Sequence, residues 1–335
     1  MDVRDAAEQA ARRGIDFLLN QQGDDGMWRD FTTPAGEASC WPTGFVLCTL
    51  GAARADAVRL THAARSLGER QQPDGGWGYN ESTPSDADST SWAVLALSGD
   101  APRFSAARAG AAAFLRRHRR PNGGMATYAD AAPIRRYTSL PRWLPFRGWR
   151  RPTIEVSATA TRALQAIDGA APNELGWRYV RSKQRPDGSW GAYWWTTPHL
   201  ATQQAVMLGA SLGDAGAIGR AAGWATRVLD PHGAAFHAAL CLSIVAVATP
   251  GDVGTINRAI EMLQRVQLAD GSWPSTPILR IPVPADTADS DHRGWRPIRF
   301  DGGLEVADQH RTFTTATCIA ALLHASRALT GGAQR

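Results

Sequence analysis

Cysteine is scarce in this chain. Its 335 residues hold four, Cys40, Cys48, Cys241 and Cys318. They lie far apart or on apolar helical stretches, and no CxxC pair occurs. That excludes a disulfide framework and points to a reducing compartment. Long apolar runs are missing as well: no stretch reaches the roughly 18 residues that a bilayer-crossing helix needs. The first residues are charged and lack the apolar core of a signal peptide. These absences predict a cytoplasmic protein, with membrane association limited to peripheral contact. Recognised nucleic-acid motifs are absent too, and the basic clusters are confined to loops, so nucleic acid is not an expected partner.

What is present is a large apolar fraction, 44% of the residues, with thirteen tryptophans and a net charge of +5. The excess positive charge is mostly arginine. It suits an anionic partner such as a diphosphate or a membrane surface.

One phrase recurs along the chain. It reads Gln71-Gln72-Pro73-Asp74-Gly75-Gly76-Trp77, and again at residues 21–28, 184–190 and 267–273, with a weaker copy at 121–125. Pro, Asp and Gly in that order are turn chemistry: Pro presets one dihedral, Asp bonds back to the backbone, and Gly takes a positive φ. Before each phrase the charge pattern predicts an amphipathic helix, at 6–19, 58–70, 104–117, 173–183 and 255–266. After each phrase comes a helix with no charged face, at 39–51, 88–98, 156–167, 199–210 and 312–328. A sixth pair, 215–228 and 236–248, has a linker that has lost the Trp. Six outer–inner pairs predict an all-α fold, an (α/α)6 barrel, as a single domain over residues 1–330. Trp28, Trp77, Trp190 and Trp273 belong to the phrase and are expected to be structural.

Two linkers break the pattern, 128–152 and 274–308, both rich in Pro and Arg. Loops of that length in a compact domain are usually functional or unstructured. The first interleaves Arg135, Arg136, Arg142, Arg147, Arg150 and Arg151 with aromatics. The second carries His292, Arg293, Trp295, Arg296 and Arg299. They read either as solvated surface or as a mouth that holds an anionic head group or rests on a membrane.

Asp86-Ala87-Asp88-Ser89-Thr90 opens the second inner helix. One reading is a capped helix, since Asp, Ser and Thr are the usual N-cap residues. The other is a proton donor, because a carboxyl in an apolar cavity beside a second carboxyl holds its proton more tightly. Trp41, Trp92, Trp194 and Trp195 start or approach inner helices and are candidates to line such a cavity. His199 and His310 stand at or near inner helix starts, where they read as capping residues or as partners of the acid.

The Gln…Gly…Trp phrases resemble the repeats of the squalene–hopene cyclases and related class II terpene cyclases, over nearly the whole chain. The likeness is most detailed from Gln71 to Gly209, through Gly75-Gly76-Trp77-Gly78-Tyr79, Asp86 to Thr90, Gly123-Gly124-Met125-Ala126-Thr127-Tyr128 and Glu155-Val156-Ser157-Ala158-Thr159. In that family an Asp-x-Asp-Asp-Thr stretch supplies the acid and its middle Asp gives up the proton. The resemblance implies that role for Asp88, with Asp86 as the first Asp. Ser89 stands where the third would be, and Thr159 where the family places a His near the acid. Cation-facing aromatics of the family match Tyr79, Tyr128 and Trp194.

The resemblance thus implies a cyclase that protonates an alkene or epoxide of a linear isoprenoid and cyclises it through carbocations. Substrate contacts would come from Tyr79, Trp92, Tyr128, Thr159, Trp194, His199 and Trp41. No cofactor is required for that chemistry, and Mg²⁺ enters only if the substrate is a prenyl diphosphate. The family's second barrel is missing, which leaves open a shorter substrate or a partner subunit. Two alternatives stand beside it. One is a prenyltransferase subunit, whose barrel binds zinc through Asp, Cys and His; Asp308, His310 and Cys318 occur, but their spacing does not match, so no metal site is expected. The other is a non-catalytic barrel that binds a lipid or a protein.

Overall fold

The structure is a computed structural model that describes residues 2–169, 174–290 and 303–332. Its helices come in outer–inner pairs. These are α1 (Val3–Asn20) with α2 (Cys40–Ala52), α3 (Ala57–Glu69) with α4 (Ala87–Leu97), and α5 (Ser105–His118), past a short helix α6 (Ala132–Thr138), with α7 (Ile154–Asp168). The other three are α8 (Glu174–Ser182) with α9 (His199–Ser211), α10 (Ala215–Val228) with α11 (Ala235–Ala248), and α12 (Val253–Val266) with α13 (Thr312–Gly332).

The burial patterns explain the two layers. Helix α12 buries Ile256, Ala259, Ile260 and Leu263, one stripe at helical spacing, and turns its charges outward. Helix α11 has no charged residue and is buried on nearly every side. Each inner helix packs on the next in chain order, and α13 packs on α2, so the inner ring closes. From α3 onward each outer helix packs on the inner helices before and after it, and α1 lies on α13. The (α/α)6 barrel expected from the repeat is therefore the architecture, with helix ends shifted by up to four residues.

The recurring phrase is the joint between layers. In four copies the indole N–H donates to a carbonyl ten residues earlier, near the end of the preceding outer helix: Trp28 to Leu18 (2.6 Å), Trp77 to Leu67 (2.7 Å), Trp190 to Val180 (2.7 Å) and Trp273 to Leu263 (2.8 Å). All four side chains are fully buried. A hydroxyl in the first turn of the next inner helix accepts the backbone N–H of the same Trp, as Thr43, Thr90, Thr202 and Thr315 do. The phrase Gln bonds forward to the following outer helix; Gln267 closes the circle on the Ala10 carbonyl (2.9 Å). At Gly188 φ is +97°, and a Cβ would stand 2.3 Å from the Arg220 carbonyl oxygen, so the turn admits only glycine.

Among the described residues, three two-stranded ribbons, not anticipated from the helical pattern, decorate the end of the barrel where the inner helices begin. They pair β1 (Asp30–Thr33) with β2 (Gly36–Ala38), β3 (Trp77–Gly78) with β4 (Ser85–Asp86), and β5 (Pro277–Ile281) with β6 (Leu304–Ala307), all antiparallel. Helix α6 lies in the first long linker and β5 in the second, and the two linkers bind each other. Trp149 donates its indole N–H to the Pro282 carbonyl (2.8 Å), and Gly148 N donates to the Pro284 carbonyl (2.8 Å). Trp143, next to Arg142, stands 81% exposed on the outer side. No helix among the described residues is long and apolar enough to cross a membrane.

Candidate active site

The site forms where β4 runs into α4. Asp86 is the last strand residue and the N-cap: its carboxylate accepts from Ser89 N (2.8 Å) and Ser89 Oγ (2.7 Å). Thr90 is held by Trp77. Asp88 lies in the first turn, and among the described residues no donor bonds to its carboxyl. It opens instead onto a hollow of about 800 Å³, mouth included. The two readings of the acidic step therefore fall on different residues, the cap on Asp86 and the unpartnered acid on Asp88.

The walls are aromatic. Tyr79 stacks on Trp41 (ring centres 6.3 Å apart), and its hydroxyl donates to the Phe31 carbonyl. Across the hollow, Trp149 packs between Tyr128 (6.0 Å) and Trp194 (5.5 Å), and the Trp194 indole N–H donates to Thr127 Oγ1 (2.8 Å). Trp195 closes the floor beside Trp41 (5.8 Å). The roof comes from the long linkers and the first ribbon: Thr33, Ala35, Ile134, Tyr137, Leu279 and Ile281. Among the described residues, none of the side chains lining the hollow is Lys, Arg or His.

Burial is the main cause of every acid shift here. It pushes Asp86 up to about 6 against the hydrogen bonds from Ser89 and the Asp88 N–H. Asp88 is raised well above the ordinary carboxyl range by burial first, then by the negative charges of Asp86 and Glu155. Glu155, in the first turn of α7, is also raised by burial. Its Oε1 accepts the backbone N–H groups of Tyr193 and Trp194 (both 2.8 Å), while Oε2 has no partner among the described residues. A protonated carboxyl facing electron-rich rings can deliver a proton to an alkene and leave the cation facing π-systems rather than water.

Comparison with known proteins agrees. Residues 1–134 match the squalene-hopene cyclase C-terminal domain family. A drimenyl diphosphate synthase from Streptantibioticus cattleyicolor is 40% identical over 299 residues, which is 79% of this chain and 48% of that protein. The chain spans about half the length of the curated relatives it matches. A protein from Actinoplanes superposes with TM-score 0.83 at 31% identity, over 95% of this chain and 99% of the other. A variant of type II terpene cyclase MstE from Scytonema, solved with its substrate geranylgeranyl dihydroxybenzoate, gives TM-score 0.86 at 28% identity, over 97% and 99% of the two chains. This chain belongs to the class II terpene cyclases.

In this cyclase the hollow gathers Asp86, Asp88, Trp41, Tyr79, Tyr128 and Trp194 of the expected set. Three expected contacts lie elsewhere. Trp92 points below the floor, edge-on to Phe45 (4.8 Å), because it sits a further turn down α4. Thr159 faces α9; its hydroxyl donates to the Glu155 carbonyl (2.9 Å) and to Gln204 Oε1 (3.3 Å). His199 leaves the ring, stacked on His237 (4.6 Å) and bonded to Thr197 (3.0 Å). His310 stands on the exposed rim against Glu37 (2.7 Å).

The donors weighed for zinc are engaged separately. Asp308 caps α13 through Thr314 N (2.8 Å), and the Cys318 thiol approaches the Ala235 carbonyl (3.9 Å). Two arginines of the first linker serve the fold: Arg135 covers the Phe146 ring, and Arg151 pairs with Asp289. Three arginines of the second linker, Arg293, Arg296 and Arg299, lie outside the described residues, as do His292 and Trp295. Glu155 is the functional candidate that sequence reasoning missed. Its signal was an acid in the first turn of an inner helix, the same signal that singled out Asp88.

Proposed function

We propose that this cyclase protonates the distal double bond, or an epoxide, of a linear isoprenoid with Asp88 and closes rings inside the aromatic hollow. The observation that carries the reading is the Asp88 carboxyl, raised by burial, free of protein donors and facing the hollow. Asp86 acts as a positioning residue that caps α4 and holds the Asp88 proton through its charge. Tyr79, Trp41, Tyr128, Trp149 and Trp194 face the developing cation, each cation–π contact contributing about 0.5–2 kcal/mol. Glu155 fixes the backbone that carries Trp194.

The head group remains at the mouth, between α6 and β5. The described lining offers no cationic side chain there; an isoprenoid joined to a ring system, as on the Scytonema enzyme's substrate, needs none. The diphosphate synthases among the relatives support a prenyl diphosphate, with the arginines of the 274–308 linker as its partners. Both carboxylate oxygens of Asp86 are already used as a cap, so no metal is assigned to the acid site. Mg²⁺ would act only on a diphosphate head, and chelation should leave turnover of a phosphate-free substrate unchanged.

The test is incubation with geranylgeranyl dihydroxybenzoate, farnesyl diphosphate, geranylgeranyl diphosphate and squalene, with product analysis for wild type and Asp88→Asn. The expected result is a cyclised product that keeps its head group, lost by about 10²–10⁴-fold in the variant. An unchanged product profile in Asp88→Asn would overturn the reading.

A further inference from the structure

A second cavity, about 850 Å³ with its mouth, lies on the same axis below the aromatic floor. Phe313 separates the two: it lies 5.0 Å from Trp41 above and stacks 4.1 Å from Phe45 below. All six inner helices contribute to the lower walls. Phe45, Trp92, Leu200 and Leu240 make its closed end apolar, and the exposed Arg327 and Ala52 mark its outer end.

A line of polar side chains crosses this cavity. Arg162 Nη1 donates to Gln204 Oε1 (2.9 Å), Gln204 Nε2 to Gln203 Oε1 (2.8 Å), and Gln203 Nε2 to Ser243 Oγ (3.2 Å). Ser243 Oγ in turn meets His324 Nδ1 (2.8 Å). Among the described residues, no Asp or Glu lines the cavity. Arg327 has an evident structural duty, donating to the Ala52 carbonyl at the end of α2 (3.3 Å). Arg162 has none of that kind: its half-buried guanidinium donates to the neutral Gln204 amide, and among the described residues no carboxylate pairs with it. A guanidinium held out of bulk water without a counter-ion is costly, and its planar fork matches a carboxylate or phosphate.

We propose that the lower cavity is a binding site for an apolar oxyanion, a carboxylate or phosphate bearing a hydrocarbon group, with Arg162 as the counter-ion and the apolar part against Phe45, Trp92 and Leu240. The site is distinct from the aromatic hollow and does not depend on the proton chemistry at Asp88.

Titration calorimetry on the full chain tests it, with octanoate and octyl phosphate as probes and octanol as the neutral control. Both anions should bind with one-to-one stoichiometry, or one of them alone if the site selects between carboxylate and phosphate, and octanol at least tenfold more weakly. Arg162→Gln should weaken anion binding at least tenfold. Ala320→Phe, which fills the cavity from α13 and leaves the polar line intact, should do the same and covers the case in which Arg162→Gln fails to fold. Equal affinity for octanol, no binding by either anion, or wild-type affinity in a folded variant of either kind would overturn the proposal.

Discussion

Two carboxyls one residue apart have opposite surroundings, and backbone geometry makes the difference. Asp86 ends an extended strand, where its side chain reaches back to the free N–H groups of the helix it precedes. Asp88 is already helical, so its side chain projects away from those donors and into the hollow. The acid site predicts a pH dependence. A carboxyl whose proton affinity is raised keeps its proton where an ordinary one, with pKa near 4, has lost it. If the protonated form of Asp88 is the active one, kcat/KM stays level past the pH at which an ordinary carboxyl has lost its proton and falls only above it; that parameter reports the free enzyme's groups. A profile that falls with a midpoint near 4 would mean that Asp88 is exposed to water. The pair was legible in the sequence from residue type and spacing, but the division of labour within it was not. Capping depends on which residue is the last extended one, and that follows from the pairing of Trp77 with Asp86 across the ribbon.

The element that organises the barrel is the phrase joining each outer helix to the following inner one. Its Trp, Gln and Gly each make a bond or a close approach that recurs from copy to copy. Gly188 combines a left-handed backbone with a carbonyl 2.3 Å from any added Cβ. Gly188→Ala should therefore lower unfolding free energy by roughly 2 kcal/mol or more, from the positive φ and the clash together. Gly233, in the sixth linker that has lost the Trp, has neither feature to that degree, and Gly233→Ala should cost well under that. Urea unfolding of the two variants compares them directly; equal losses would contradict the joint's assigned role. These elements were readable because turn chemistry and helical periodicity are local. The ribbons were not: β3 and β4 are two residues each, too short for an alternating pattern. Thr159, Trp92 and His199 were misplaced for a related reason. Sequence put them on inner helices, but only the height along the axis and the rotation about each helix decide whether a side chain meets the upper hollow, the lower cavity or a neighbouring helix.

At the scale of the molecule, a closed ring of six apolar helices leaves an axis that side chains must fill. Phe313 and its aromatic neighbours fill the middle, leaving one hollow at the end where the inner helices begin and another below it. The two long linkers cover the first hollow. Their mutual packing, with Gly148 pressed against the Asp286 carbonyl and Tyr193 bonded to the same group (2.8 Å), could not be read from either linker alone. The ring itself was legible because each repeat announces a helix pair, and six pairs are enough to close.

The central claim is that a proton from Asp88 starts the chemistry on a carbon chain shielded from water. Running the reaction in D₂O with an alkene substrate and reading the product by mass spectrometry and NMR tests it most directly. The account predicts one deuterium at the former distal alkene carbon in the wild-type product, and no cyclised product from Asp88→Asn. A cyclised product without deuterium at that carbon, or the same labelled product from Asp88→Asn, would contradict it.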